Sequence, residues 1–336
     1  MKKILVTGGL GFIGSHTVVE LQKNGYNVVI IDNLSNSTLS VLDNITSITG
    51  TKPEFHNIDL HNKKAVQSFF KQNNINGIIH FAAYKAVGES MDNPLAYYEN
   101  NLGSLVYLLQ EMKEHKIDHF IFSSSCMAYG TPEKLPITEK TPTNKAASVY
   151  ANTKQIGEEI IQDSCKAYNK NAIALRYFNP IGAHESAKIG ELPNGVPQNL
   201  VPFITQTAAG IREQLLVFGN DYDTIDGTAI RDYIHVVDLA NAHIVALERL
   251  FNKKNKANFE LFNIGTGKGS TVLEVIEAFE KATGKTLNYK ITERRSGDIQ
   301  EIYADPTLAN NELKWKPEKS LEQALFDAWQ WQKKQS

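Results

Sequence analysis

Tyr150 and Lys154 stand four residues apart in the run Tyr150-Ala151-Asn152-Thr153-Lys154. On a helix that spacing puts both side chains on one face, one turn apart. A phenol titrates near pH 10 and is a poor base at neutrality; a neighbouring ammonium favours its ionised form, and each pH unit gained is worth about 1.4 kcal/mol. A phenolate so placed can remove the proton of an alcohol while hydride leaves the same carbon. Ser123-Ser124-Ser125 lies upstream, and a serine hydroxyl at a strand end can hydrogen-bond the same oxygen and relay the proton. Tyr-x-x-x-Lys also arises wherever a helix packs a tyrosine and solvates a lysine, so it carries weight only in context.

That context begins at the amino terminus. Gly8-Gly9-Leu10-Gly11-Phe12-Ile13-Gly14 falls between a first apolar run and a first helical pattern. One glycine permits the tight turn, the next lets backbone approach a pyrophosphate, and the last packs helix on strand. The helix N-terminus then offers free N–H groups and its dipole to phosphate. Asp32 closes the second apolar run, 18 residues after Gly14, where a carboxylate accepts from adenosine ribose hydroxyls and repels a 2′-phosphate. The pattern predicts NAD rather than NADP, and its positively charged nicotinamide would further favour a Tyr150 phenolate. Asp59 follows the third strand, placed to reach adenine or simply to form a turn.

The elements that must hold these groups follow from periodicity. Lys3–Thr7, Asn27–Asp32, Pro53–Asn57, Gly77–Phe81, His119–Ser125 and Ala172–Tyr177 read as buried strands. Between them Gly11–Lys23, Lys63–Asn73, Pro94–His115 and Val149–Tyr168 read as helices; in the last, Ile156, Ile160 and Ile161 form the apolar face and Gln155, Glu158 and Glu159 the polar one. This alternation predicts an α/β fold, a doubly wound parallel sheet of Rossmann type, with ligands at the carboxyl ends of its strands. After Asn179-Pro180 the pattern loosens, predicting a smaller α+β C-terminal domain. The expected division is residues 1–180 for NAD and 181–336 for substrate, with some later segments free to return to the first domain.

Bulk properties narrow the class. The 336 residues suffice for two domains sharing a cleft, and 42% hydrophobic with 21% charged residues is ordinary for a globular chain. A formal net charge of −2 gives no reason to expect nucleic acid or an anionic membrane as partner. No run approaches the roughly 20 apolar residues of a membrane span, and the apolar start at Ile4 breaks after four residues at glycines, too soon for a signal core. The cysteines, Cys126 and Cys165, have no metal-ligand spacing around them, so no metal is expected. The expectation is a cytoplasmic protein with reduced thiols.

Longer stretches identify a resemblance. Thr7–His16 (TGGLGFIGSH), Ile31–Ser37 (IDNLSNS), His80–Ser90 (HFAAYKAVGES), Phe120–Ser125 with Tyr129-Gly130, Arg176–His184 (RYFNPIGAH), Phe218–Asp221 (FGND) and Arg231–Asp238 (RDYIHVVD) together resemble the extended short-chain dehydrogenase/reductase family, in its branch acting on UDP-sugars. The likeness runs over essentially the whole chain. It implies that Tyr150 is the catalytic base, Lys154 its electrostatic and ribose-binding partner, and Ser125 the proton relay. It further matches Gly8, Gly11, Phe12, Ile13, Gly14, Asp32, Asn33, Asn36, Ser37, Ile58, Asp59, Phe81, Ala82, Lys85, Asn100 and Tyr177, with Tyr150 and Lys154, to cofactor positions. Asn179, Asn199, Leu200, Leu216, Phe218, Arg231, Arg295, Asp298 and Ile302, with Ser125 and Tyr150, match positions that hold the UDP-sugar. Arg231 and Arg295 suit a diphosphate as forked, charge-assisted donors.

The activity implied is a reversible oxidation that interconverts UDP-galactose and UDP-glucose through a 4-keto sugar, with NAD tightly bound and not consumed. The resemblance also implies a homodimer packed through helices such as Pro94–His115 and Val149–Tyr168. Three positions depart from the family pattern. Ala151 replaces a glycine, Met127 in Cys126-Met127-Ala128 narrows the room at the hexose, and Ile302 is intermediate in bulk where the sugar 2-substituent would lie. A 4,6-dehydratase wants an acid/base pair after the fifth strand, where Cys126 and Met127 stand. The alternatives left open are a 4-epimerase of N-acetylhexosamine or pentose nucleotides and a catalytically silent NAD-binding regulator.

Overall fold

The computed structural model describes residues 1–295 and 298–335. Its strands are β1 (Lys3–Thr7), β2 (Asn27–Asp32), β3 (Glu54–Asn57), β4 (Gly77–His80), β5 (His119–Ser125), β6 (Asn171–Tyr177), β7 (Asn179–Ile181), β8 (Leu215–Phe218), β9 (Ile230–His235), β10 (Phe259–Ile264), β11 (Gly269–Thr271), β12 (Tyr289–Thr292) and β13 (Glu301–Ile302). Its α-helices are α1 (Phe12–Lys23), α2 (Ser40–Thr49), α3 (Lys63–Gln72), α4 (Val87–Asp92), α5 (Pro94–Tyr98), α6 (Ser104–Glu114), α7 (Val149–Tyr168), α8 (Leu200–Ala208), α9 (Val236–Phe251), α10 (Val272–Thr283), α11 (Thr307–Glu312) and α12 (Leu321–Lys333).

Near-continuous apolar runs make strands that are covered on both faces, the condition for a parallel sheet. Seven strands form one parallel sheet in the order β10-β6-β5-β4-β1-β2-β3. The chain leaves β1 toward β2 on one side and returns through β4 on the other, so a crevice opens at their carboxyl ends. Ile4, Val6, Ile30 and Ile79 face one core with Val18, Leu239 and Leu247; Leu5, Val29, Ile78 and Phe120 face the other with Phe70, Leu105 and Ile161. A third core gathers Val201, Ile204, Val217, Val275, Phe279 and Trp329 around β8, α8, α10 and α12.

Three expectations need correction. β3 is the sheet's edge and none of its four residues is buried, because only β2 covers it. The helix expected over Pro94–His115 is two helices joined by a π-helical turn, Glu99–Gly103; wide turns of this kind are frequent at functional sites. Glu158, assigned to the polar face of α7, is buried at 7% exposure, because that face packs on β5 and β6. Among later segments, β10 pairs with β6 in the large sheet, and α9 packs against α1.

Candidate active site

The glycine loop is shaped by contacts that admit no side chain. Gly8 has φ +68°, and a Cβ there would lie 2.8 Å from the Ala82 amide nitrogen; one on Gly14 would lie 2.2 Å from the Gly8 carbonyl oxygen. The Gly11 amide donates to that same carbonyl at 3.1 Å and closes the turn. No side chain caps α1 at Gly11, which leaves its first N–H groups for an anion. Asp32 is fixed at the end of β2: Oδ2 accepts from Leu10 N at 3.1 Å, and Oδ1 from Leu34 N at 3.0 Å and Ser37 Oγ at 2.9 Å. Asn33 donates to Asp59 at 3.2 Å, and Asn194 donates to Asn36 at 3.0 Å. An uncapped helix start, a loop that a Cβ would fill and a carboxylate beyond it fit a dinucleotide whose 2′-hydroxyl is free.

The far side of the crevice is built by β4, β5 and β6. Phe81 follows β4, its ring centre 4.8 Å from that of His243. The His243 Nδ1–H donates to the Leu239 carbonyl at 2.8 Å, so Nε2 accepts from the Tyr177 hydroxyl. Asn100 lies in the π-helical turn and donates to Asn101, which in turn clasps Tyr84 N and O. Ile58 and Ala82 pack together on the neighbouring core. Lys85 pairs with Glu191 at 3.1 Å.

Strand register brings the reacting groups together. Ser125, the last residue of β5, sits opposite Tyr177 on β6. Ser148 caps α7 through Ala151 N at 3.1 Å, so Tyr150 falls in the first turn. A Cβ on Gly157 would meet Phe122 at 2.9 Å; the missing methyl lets α7 lie close on β5. Lys154 is 4% exposed, donates to the Ser123 carbonyl at 2.6 Å, and stands 5.7 Å from the Tyr150 ring centre.

Electrostatics here differs from the sequence expectation. Burial pushes the Tyr150 phenol up to about 12, opposed by hydrogen bonding with Ser125. The ammonium's hydrogen bond goes to the Ser123 carbonyl. Burial likewise lowers Lys154 to about 8, while Glu158 raises it. With the chain's own groups alone the phenol is neutral.

The UDP-sugar candidates come from five segments. Phe218 ends β8, and the Arg295 guanidinium lies 4.6 Å from its ring centre. Arg231 on β9 donates to Ile230 O at 2.8 Å and forms an ion pair with Asp298, itself a substrate candidate. Asn199 precedes α8 and donates to Glu191 Oε1 at 2.8 Å; Leu200 opens that helix, Asn179 opens β7, and Leu216 is exposed on β8. Ile302 is buried with Cys126, Tyr129 and Phe178, and Met127 packs against that group.

Sequence reasoning missed Glu191, which joins a cofactor candidate to a substrate candidate through one carboxylate oxygen. It also missed His243, Glu158 and Arg176. Nothing local marks these; only strand register and the fold of the 185–199 loop bring them in.

Over residues 5–327 the chain matches the family profile described as GDP-mannose 4,6 dehydratase, and it belongs to that family, one of the extended short-chain dehydrogenases/reductases. Within this class its similarity is to UDP-glucose 4-epimerases. It is 50% identical to that of Haemophilus influenzae over 98% of this chain and 97% of the relative, and 49% identical to that of Bacillus subtilis over 98% and 96%. Among solved structures, the UDP-glucose 4-epimerase of Stenotrophomonas maltophila, with bound NAD and formylated UDP-arabinopyranose, superposes with a TM-score of 0.96 at 43% identity over 100% and 99% of the chains. The Bifidobacterium longum enzyme, in complex with NAD+ and UDP, gives 0.95 at 45% identity over 99% and 98%.

Proposed function

We propose that this protein is an NAD-dependent isomerase that interconverts UDP-galactose and UDP-glucose. The observation that carries the reading is the meeting of Tyr150, Ser125 and Lys154 at the carboxyl end of β5, across the crevice from the glycine loop. Full-length relatives near 50% identity bear the same name. A dehydratase is disfavoured despite the profile's description: the turn after β5, Cys126–Tyr129, offers no carboxylate.

When bound, NAD would supply a two-electron acceptor for the sugar C4. The Gly8–Gly14 loop and α1 would hold the pyrophosphate, and Asp32 the adenosine ribose. Tyr150 takes the proton of the 4-hydroxyl, with Ser125 bridging the sugar oxygen and the phenol. Lys154 would hold a nicotinamide-side ribose hydroxyl, and its charge would favour the phenolate. Phe218, Arg231, Arg295 and Asn199 anchor the UDP part, while the hexose, touched by few polar groups, turns over and presents the other face of its 4-keto carbon.

Residues 1–180 form the cofactor part and 181–336 the sugar-nucleotide part, with β10 belonging to the first. Among the described residues no helix is long and apolar enough to cross a membrane, which agrees with a cytoplasmic setting. A homodimer is the assembly this reading carries.

Purified protein given UDP-galactose and no added NAD should form UDP-glucose, and Tyr150→Phe should reduce the rate by roughly 10²–10⁴-fold. Turnover that requires added NAD and releases NADH stoichiometrically would overturn the proposal in favour of a dehydrogenase.

A further inference from the structure

α7 carries a third polar residue on the face of Tyr150 and Lys154, one turn further on. Glu158 is not solvated: its Oε1 accepts from Ser124 Oγ at 2.5 Å and Arg176 Nε at 2.9 Å, and its Oε2 from Arg176 Nη2 at 2.5 Å. Ser124 and Arg176 are direct neighbours in the β5–β6 register. Arg176 is itself 4% exposed and lies 4.1 Å over the Tyr129 ring. Two adjacent residues of β5 therefore grip α7 one helical turn apart: the Ser123 carbonyl takes Lys154, and the Ser124 hydroxyl takes Glu158.

We propose that Glu158 is a positioning residue for the reaction: locked by Ser124 and Arg176, it keeps Lys154 charged and seated on the Ser123 carbonyl, and so sets the alkaline limit of turnover. This rests on the epimerase reading for its activity assay only.

Among the described residues, Glu158 is the carboxylate whose charge acts on Lys154. From β4 comes His80, held neutral by burial, which lowers it to about 3. From α7 itself comes the neutral Tyr150, from β6 the neutral Tyr177, and from the turn after β5 the neutral Tyr129, each phenol raised by burial. Arg176 on β6 opposes Glu158 in sign and is paired with it. Glu89 of α4 is bound by the Tyr97 hydroxyl of α5 at 2.9 Å, on the Tyr150 side. Burial alone favours a neutral amine; a fixed carboxylate in a low dielectric offsets it.

The test follows the pH profile of UDP-galactose turnover in the NAD-loaded protein. It is paired with an NMR titration of ¹³Cε-labelled lysine, with the Lys154 signal assigned by its loss in Lys154→Met. Glu158→Gln should move both the alkaline limb and the Lys154 midpoint toward lower pH, by about one pH unit. The double variant Glu158→Gln/Arg176→Gln leaves no lone buried charge and should move both the same way. Arg176→Gln alone should move them the opposite way. A uniform loss of rate at every pH, with the Lys154 midpoint unmoved in the folded double variant, would overturn the proposal and leave Glu158 a structural clamp. The NMR midpoint is read whether or not UDP-galactose turns over, so an inactive parent protein sinks only the epimerase reading.

Discussion

The Lys154 ammonium stands 5.7 Å from the centre of the Tyr150 ring and spends its hydrogen bond on the Ser123 carbonyl. Lysine is thus a distant partner to the phenol, and burial governs the acid that should act as base. In NAD-stripped protein, Tyr150 should show phenolate absorbance only as pH approaches about 12; loading NAD, whose nicotinamide is cationic, should bring that onset down. The difference spectrum between wild type and Tyr150→Phe isolates the signal. A stripped protein whose Tyr150 already titrates near neutrality contradicts this account.

The two glycines of the turn should respond unequally to a methyl. Gly14→Ala would press a Cβ into the Gly8 carbonyl at 2.2 Å, whereas Gly11→Ala meets only that same atom at 3.3 Å. Gly14→Ala should destabilise by about 1–3 kcal/mol and lose NAD on purification; Gly11→Ala should do less of both. Melting temperature and absorbance of released dinucleotide measure the pair.

Glu191 holds Asn199 at 2.8 Å and Lys85 at 3.1 Å with one oxygen. The lysine is more than half exposed, so that ion pair contributes little; the bond to the half-buried carboxylate from Asn199 carries more. Glu191→Ala should raise KM for UDP-galactose roughly tenfold, equivalent to ~1.4 kcal/mol, with a smaller effect on kcat. Steady-state kinetics separate the two; an unchanged KM refutes the coupling.

Four buried histidines set an acid limit on stability. Burial lowers His16 and His80 to about 3 and His184 and His243 to about 4, from 6.5. The unfolded chain then binds more protons than the native one at any pH between those values. Their stabilisation is complete above pH 6.5 and is lost as pH falls toward 4, each contributing a slope of about 1.4 kcal/mol per pH unit. Thermal unfolding followed from pH 7 to 4.5 should show this slope, and His243→Asn should flatten it. A melting temperature constant across that range would exclude the effect.

The glycine loop, Asp32 and the Tyr150/Lys154 pair were legible in the sequence because each is specified by spacing within one strand, turn or helix. Glu158 and Arg176 were not. Each alone reads as an ordinary surface charge, and only the pairing of Ser124 with Arg176 across β5 and β6 reveals that they meet in the interior. The break at Glu99–Gly103 hides for a related reason: its residues keep helical composition, and the wide turn follows from the Asn101 side chain, which reaches Tyr84 and Thr153. The β3 edge was misread because a short strand signal does not say how many neighbours the strand will have. Asp298 pairing with Arg231 needed two segments 67 residues apart to be brought side by side.

β10 has a consequence for how such chains evolve. The strand that completes the large sheet is made only after β7, β8, β9 and α8 have been synthesised, and α9 goes with it as cover for α1. A fragment ending near residue 180 would leave the backbone of β6 without its outer neighbour, an open apolar rim that templates self-association. Recombination between relatives therefore cannot exchange the two halves as cassettes at a single crossover; a viable chimera must carry β6, α9 and β10 from the same parent.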